Sequence, residues 1–358
     1  MYRNTKNVPY YVFGRGSLAQ LGDLLKPRRE AVDGPVVYFV DHFFRDHELI
    51  GRLPMEKGDQ LHFVDSSSEP EVTRIDAFKE AVPAADSRTP CCVVGIGGGN
   101  ALDTAKAVAN LLTNPGKAED YQGWELVKNP AVYKIGIPTL SGTGSECSRT
   151  CVLTNIPKNL KLGMNSDYTV YDQLLLDPDL LVTVPRDQYF YTGIDTFMHC
   201  VESLQGSYRN AIIDAFSVRA VQLCEEIFLS DDMMSEENRE KMMIASYIGG
   251  MAAGNVGVIH PFSAGLGVVL HVAHGLGNCL ALNVLGDIYP KEYKQFRTMI
   301  ERQGVNLPTG ICKDLTEEQY EGLYRGCIVH EKPLTNALGP DFKQILTREN
   351  LIERYKSI

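Results

Sequence analysis

The sequence predicts an α/β N-terminal domain on a mostly parallel sheet, followed by an all-helical C-terminal domain. Three observations carry that expectation. Short β-type apolar runs alternate with helical stretches through the first half of the 358 residues. After Pro185 only helical spacing remains. One later run, from Ser246 to Gly286, contains no Asp, Glu, Lys or Arg. The division expected is 1–180 and 181–358, and a cleft between two such domains is the default ligand site.

Each element has its own signal. "YYVF" (10–13) reads as the first strand, turning through "GRGS" into a helix. "PVVYFVD" (35–41), "QLHFVD" (60–65), "CCVVGIG" (91–97) and "YKIGIPT" (133–139) follow as strands. Helical or loop sequence such as "EVTRIDAFKEAV" and "ALDTAKAVANLL" separates them. Strand and helix in alternation imply a parallel sheet wrapped by helices. "YDQLLLDPDLL" (171–181) adds one more strand. Pro185 then suits a helix start. "RDQYFYTGIDTFMHCVESL", "RNAIIDAFSVRAVQLCEEIFL", "ENREKMMIASYIGGMAA", "EQYEGLYRGCIV" and "RENLIERYK" all carry helical spacing.

Composition excludes several function classes. The chain is 44% apolar and 22% charged, ordinary for a globular protein, with no low-complexity tract or repeat. A net charge of −10 argues against nucleic-acid or anionic-membrane partners, since neither attracts an anion. "MYRNTKNVPYYVFGRGS" scatters charges ahead of a short apolar run and is not expected to direct export. Nine cysteines then read as reduced thiols in a cytoplasmic protein. They form no paired C-x-x-C arrangement, so no structural zinc site is expected, and no G-x-S-x-G elbow suggests a hydrolase. The 246–286 run is long enough to span a membrane, but its glycines, Pro261 and three histidines mark the centre of a large domain instead.

Two glycine patterns suit an anionic ligand. In "GIGGGNALDTAKAVA", Gly97, Gly98 and Gly99 stand between a strong strand and a strong helix, with Asn100 as its expected cap. Phosphate binding needs both features: glycines allow close backbone approach, and a helix N-terminus offers free N–H groups. "FGRGSLA", with Gly14, Gly16 and Ala19, fits G-x-G-x-x-A but reads better as a plain turn. "PTLSGTGSECS" (138–148) brings Thr139, Ser141, Thr143 and Ser145 beside Gly142 and Gly144, a second loop able to hold the other end of a nucleotide.

The histidines of the uncharged run need a reason to be there. "GIDTFMHCVE" sets Asp195 and His199 four apart on one helical face, among Ile194, Phe197 and Met198. An unpaired carboxylate there would be costly. Asp195, His199, His260 and His274 make a set of one carboxylate and three imidazoles. Such a set suits one divalent ion, Zn²⁺ or Fe²⁺, and neutral histidine tolerates an apolar setting once bound.

"GIGGGNALDTAK", "PTLSGTGSE", "GIDTFMHCVES" and the His260–His274 spacing with "HGLGN" together resemble the iron-containing, metal-dependent alcohol dehydrogenase family. The resemblance runs from "VFGRGSL" to "KPLTNALG". It implies a Rossmann-like nucleotide domain, an all-helical metal domain, and NAD or NADP as hydride carrier. It also implies cofactor contacts at Asp41, Gly97–Gly99, Asn100, Asp103, Thr139, Ser141, Thr143, Ser145 and Lys161, with Asp195, His199, His260 and His274 as metal ligands. Two departures stand out. Many alcohol-oxidising members carry another histidine where this chain has Ala264, which the extra His271 can replace, and the usual Asn-Pro-Arg segment is "TNALG" here.

Within the family, "KLGMNSDYTVYDQLLLDP", "VPRDQYFYTGIDTFMHCVESLQGSYRNA" and "HEKPLTNALG" are similar to members that oxidise the C8 hydroxyl of 3-deoxy-D-manno-octulosonate, a step toward an 8-amino sugar of lipopolysaccharide. The expected partner is therefore a small sugar-acid alcohol, with Arg149 or Arg209 as candidate holders of its carboxylate. A homodimer is compatible with this reading. The alternatives are a generic NAD-dependent small-alcohol or polyol dehydrogenase and a dehydroquinate-synthase-like lyase.

Overall fold

A computed structural model describes residues 6–358; Met1 to Thr5, where the reading of the N-terminal segment begins, lie outside the described residues. The chain forms two compact units. The first holds residues up to Leu140, Ser145–Asn155 and Leu162–Thr183; the second holds Ser141–Gly144, Ile156–Lys161 and Val184–Ile358.

The first unit carries strands β1 (Tyr10–Phe13), β2 (Val36–Asp41), β3 (Gln60–Val64), β4 (Cys92–Gly97), β5 (Gly123–Trp124), β6 (Lys134–Pro138), β7 (Thr150–Asn155), β8 (Leu160–Asn165) and β9 (Gln173–Leu176). Its helices are α1 (Leu21–Ala31), α2 (Glu48–Gly51), α3 (Val72–Ala85) and α4 (Gly99–Leu111). Six strands form one sheet in the order β1-β9-β6-β4-β2-β3, every pair parallel.

Why these runs are strands follows from burial on both faces. Val37, Phe39 and Val93 face a cluster with Ala101, Ala105 and Val108 of α4. Their neighbours Val36, Tyr38, Val40, Val94 and Ile96 face the opposite cluster, with Ile135 and Ile137. A strand covered on both sides loses the apolar–polar alternation and reads as a continuous apolar run. A small second sheet, β5-β8-β7, was not expected from the sequence.

The second unit is helical: α5 (Arg186–Gln205), α6 (Ala211–Phe228), α7 (Glu236–Gly249), α8 (Ile259–Leu270), α9 (His274–Val284), α10 (Pro290–Gln303), α11 (Glu317–Ile328), α12 (Glu331–Leu338), α13 (Phe342–Ile345) and α14 (Arg348–Lys356). Pro185 sits at the N-cap of α5, one residue before the helix. The polar loop divides because Gly142 is tied to the helices. Its N–H donates to Ser246 Oγ at 2.7 Å, and Thr196 Oγ1 donates to its carbonyl at 2.8 Å. At φ +143°, Gly142 has no room for a side chain, since a Cβ would stand 1.7 Å from the Thr192 carbonyl oxygen.

The uncharged run forms the end of α7, a 3-10 turn (Gly250–Asn255), α8 and α9. Among the described residues no single helix is long and apolar enough to cross a membrane. One pair, Glu236–Asn255 with Ile259–Leu270, passes by length and composition but bends by 92°. All nine cysteines are buried free thiols.

Candidate metal centre

Three helices bring the centre together. α5 contributes Asp195, His199 and Glu202 from one face, at positions i, i+4 and i+7. α8 contributes His260 from its second residue, and α9 begins at His274 and adds Asn278 a turn later. One ligand atom from each of Asp195, His199, His260 and His274 falls within 4.8 Å of the others. Asp195 Oδ1 lies 3.1 Å from His260 Nε2 and 3.6 Å from His199 Nε2, and Oδ2 lies 3.5 Å from His274 Nε2. The His199 and His260 rings stack with centroids 4.5 Å apart.

The electrostatics are those of a carboxylate with imidazoles closing around it. Burial pushes Asp195 up, but its proximity to His199 and His274 and the His260 hydrogen bond outweigh that and hold the carboxyl below its usual range. Burial takes His199 down to about 3, favouring the neutral imidazole. His260 is also buried, yet Glu202 and Asp195 raise it to about 9. Neutral imidazoles would turn nitrogen lone pairs toward an acceptor-only carboxylate, and lone pairs aimed at one point repel one another. A divalent cation removes that conflict and suits neutral imidazole and ionised carboxylate alike. Two buried atoms of the set, Asp195 Oδ2 and His199 Nδ1, have no hydrogen-bond partner, which fits groups left for a cation and its surroundings.

Two residues of this centre were missed in the sequence. Glu202 is 1% exposed and accepts from His260, and Asn278 Nδ2 donates to Asp195 Oδ1 at 2.7 Å. The i+3 step from His199 to Glu202 and the i+4 step from His274 to Asn278 were the available signals. His271 does not join them. It closes α8 in the left-handed conformation, φ 55°, and its side chain is exposed.

The glycine loops lie at the ends of their strands. Gly97 ends β4 at φ +151°, where a Cβ would meet Ala101 Cβ at 2.6 Å and Asp41 Cβ at 2.9 Å. Gly98, not Asn100, caps α4; Asn100 lies in the first turn and donates to the Ser68 carbonyl. The cap moved because the glycine already has the extended backbone a cap needs, leaving Asn100 free to tie down a neighbouring loop. Thr139 N–H donates to the Gly97 carbonyl at 3.0 Å, joining the two loops. Asp103 accepts from Ser145 Oγ and from the Val152 N–H, so both side chains brace the second loop. Ser141 Oγ is buried without a partner. Lys161 is buried within the second unit, and Thr143 lies in the divided loop.

Asp41 ends β2 and accepts from the Phe43 N–H at 3.0 Å and Ser66 Oγ at 2.8 Å, both through Oδ1. The "FGRGS" loop is indeed a turn, for a physical reason: the Gly16 and Leu18 N–H groups both donate to Asp177, so the chain supplies its own anion there. The arginine expectation is not met as stated. Arg149 pairs with Asp167 and Glu125, each at 2.6 Å, and Arg209 pairs with Asp214 at 2.8 Å.

Comparison with known proteins supplies the family. The model of iron-containing alcohol dehydrogenases matches residues 9–178, and that of the C-terminal part of the Fe-containing alcohol dehydrogenase family matches 189–322. The NAD-dependent methanol dehydrogenase of Bacillus methanolicus is 30% identical over 278 residues, covering 75% of this chain and 71% of that one. The chain belongs to the iron-containing alcohol dehydrogenase family.

Its relatives in the family are enzymes, oxidoreductases of alcohols and aldehydes. The sulfoacetaldehyde reductase of Bilophila wadsworthia (strain 3_1_6) is 34% identical over 220 residues, 60% of this chain. That match spans 56% of the relative's length. The fold agrees over 99% of this chain, at a TM-score of 0.80 and 24% identity, with a sulfoacetaldehyde reductase from Bifidobacterium kashiwanohense in complex with NAD+.

Proposed function

We propose that this family member interconverts a terminal primary alcohol and its aldehyde, with one divalent ion, Fe²⁺ or Zn²⁺, and a nicotinamide dinucleotide, NAD in preference to NADP. The observation that carries the reading is the convergence of Asp195, His199, His260 and His274 from three helices onto one point. A bound divalent ion supplies Lewis acidity there, and the dinucleotide supplies the hydride acceptor. Asp195 contributes the one negative charge among the four ligands, and its position is held by Asn278. Burial favours the neutral form of His199, which would offer a nitrogen lone pair to the ion. Gly97 and Gly98 allow the pyrophosphate to approach the first turn of α4, whose N–H groups have no helical acceptor. Asp103 and Ser145 keep the second loop in place.

For the substrate we propose a sugar acid bearing a terminal CH₂OH, specifically 3-deoxy-D-manno-octulosonate at C8. The similarity of three sequence segments supports it. So does the name of the Bilophila wadsworthia relative, a sulfoacetaldehyde reductase, which marks an anionic substrate in this family. The carboxylate is not assigned to Arg149 or Arg209, because each is already paired with acids. Metal-reconstituted protein, offered NAD and a panel of alcohols that includes octulosonate, tests the class. Formation of reduced nicotinamide with an alcohol is expected; none with any alcohol, in protein carrying its full metal, rejects it.

A further inference from the structure

Glu202 lies beside the four-residue set without belonging to it, and both of its carboxylate oxygens are taken. Oε1 accepts the Ile259 backbone N–H at 2.6 Å and the Tyr289 hydroxyl at 3.3 Å. Oε2 accepts His260 Nδ1–H at 2.5 Å. We propose that Glu202 is the positioning residue that fixes His260 in the tautomer able to ligate through Nε2. Retention of the divalent ion then depends on a side chain that does not touch it. The inference rests on reading the four residues as a metal centre.

Donors and acceptors decide the tautomer. A neutral imidazole has one donor nitrogen and one acceptor nitrogen. A carboxylate can only accept, so it holds the proton on Nδ1 and leaves the lone pair on Nε2. That nitrogen is the one turned to the four-residue set, 3.1 Å from Asp195 Oδ1: without an ion it is a hydrogen-bond donor to that oxygen, and with one its lone pair would be the ligand. The Ile259 N–H belongs to the first residue of α8, so it has no helical acceptor and relies on Glu202.

An amide cannot replace this carboxylate. Glutamine has a single acceptor oxygen, whereas donors stand against both oxygens of this carboxylate: Ile259 and Tyr289 at one, His260 at the other. If that oxygen serves Ile259, the NH₂ faces Nδ1, draws the lone pair there and moves the imidazole proton to Nε2. If it serves His260, the NH₂ opposes the Ile259 N–H. The carboxylate also places negative charge behind the imidazole, which raises its basicity as a ligand.

The test is Zn²⁺ binding by chelator competition, measured on the wild-type protein and the E202Q, E202D and H260A variants. E202Q is expected to weaken Zn²⁺ binding about 10–100-fold. E202D keeps two acceptors on a shorter arm and should fall between E202Q and wild type. Proton NMR supplies a signature that packing alone would not move. A strongly downfield imidazole N–H is expected in wild type, absent in H260A, and shifted upfield or lost in E202Q. Wild-type affinity in E202Q with that signal unchanged overturns the inference. So does absence of the signal in wild type, which decides the matter if E202Q does not fold. Failure of the wild type to bind Zn²⁺ is a different result and removes the metal reading with it.

Discussion

At the residue scale, Asp59 shows how one buried carboxylate fixes a strand. It accepts from Arg29 through both oxygens, at 2.9 and 2.6 Å, and from the Val36 and Glu56 N–H groups. Burial pushes its pKa up, but the Arg29 hydrogen bond and these N–H donors outweigh it, and the net shift is down. A lowered carboxyl contributes stability that is fully present above the ordinary value of about 3.9 and is lost as pH falls through the lower folded value. Asp59→Asn should therefore cost about 1–3 kcal/mol near neutral pH. Denaturant unfolding of both proteins checks it, and the gap should narrow in acid; a gap that widens in acid contradicts the sign. Residue-level reading of the sequence was strongest for Asp195, His199, His260 and His274, because charge and imidazole stand out in an uncharged run. It missed Glu202 and Asn278, whose helical spacing from His199 and His274 was the one local signal and whose partners Ile259 and Asp195 come from other helices. It also gave Arg149 and Arg209 a free charge that Asp167, Glu125 and Asp214 occupy.

At the element scale, the start of α4 carries the nucleotide reading. Gly98 is the better position to probe than Gly97. Its φ of −77° accepts any residue, and a Cβ would stand 3.3 Å from the end of the Leu140 side chain. Gly98→Val should leave the fold intact and raise the NAD dissociation constant at least tenfold, by blocking approach of the pyrophosphate to the helix. Unchanged NAD binding in a folded Gly98→Val protein, alongside loss in Gly16→Val, would place the cofactor on the wrong loop. Asp41 at the end of β2 should favour NAD, since a carboxylate repels a 2′-phosphate; tighter NADP binding by the unmodified protein refutes that. Strands β2, β4 and β6 were legible because burial on both faces makes their apolar runs continuous. β7 and β8 were not. β7 alternates buried and half-buried residues over six positions, β8 buries only Lys161 and Met164, and "TCVLTN" and "LKLGMN" lie among polar loop residues. Asn100 was expected to cap α4 on residue type, but the preceding glycine takes that role.

At the scale of the whole molecule, a net charge of −10 repels an anionic substrate at long range, so a sugar acid must be recognised by local contacts. Octulosonate should nonetheless turn over faster than ethanol, propanediol or glycerol at equal concentration. Faster oxidation of the small neutral alcohols leaves only a generic dehydrogenase. The change from α/β to helical character was legible near Pro185, but the transfer of Ser141–Gly144 and Ile156–Lys161 to the helical unit was not. Hydrogen bonds of Gly142 with Ser246 and Thr196, both distant in sequence, decide it for the first of those segments. Beneath all of this stands the claim that four side chains from α5, α8 and α9 hold one divalent ion. Metal content per chain, measured by elemental analysis on wild-type, His260→Ala and His274→Ala proteins after equal metal loading and desalting, tests it most directly. The account predicts about one ion per wild-type chain and loss of tight binding in both variants; full occupancy in both contradicts it.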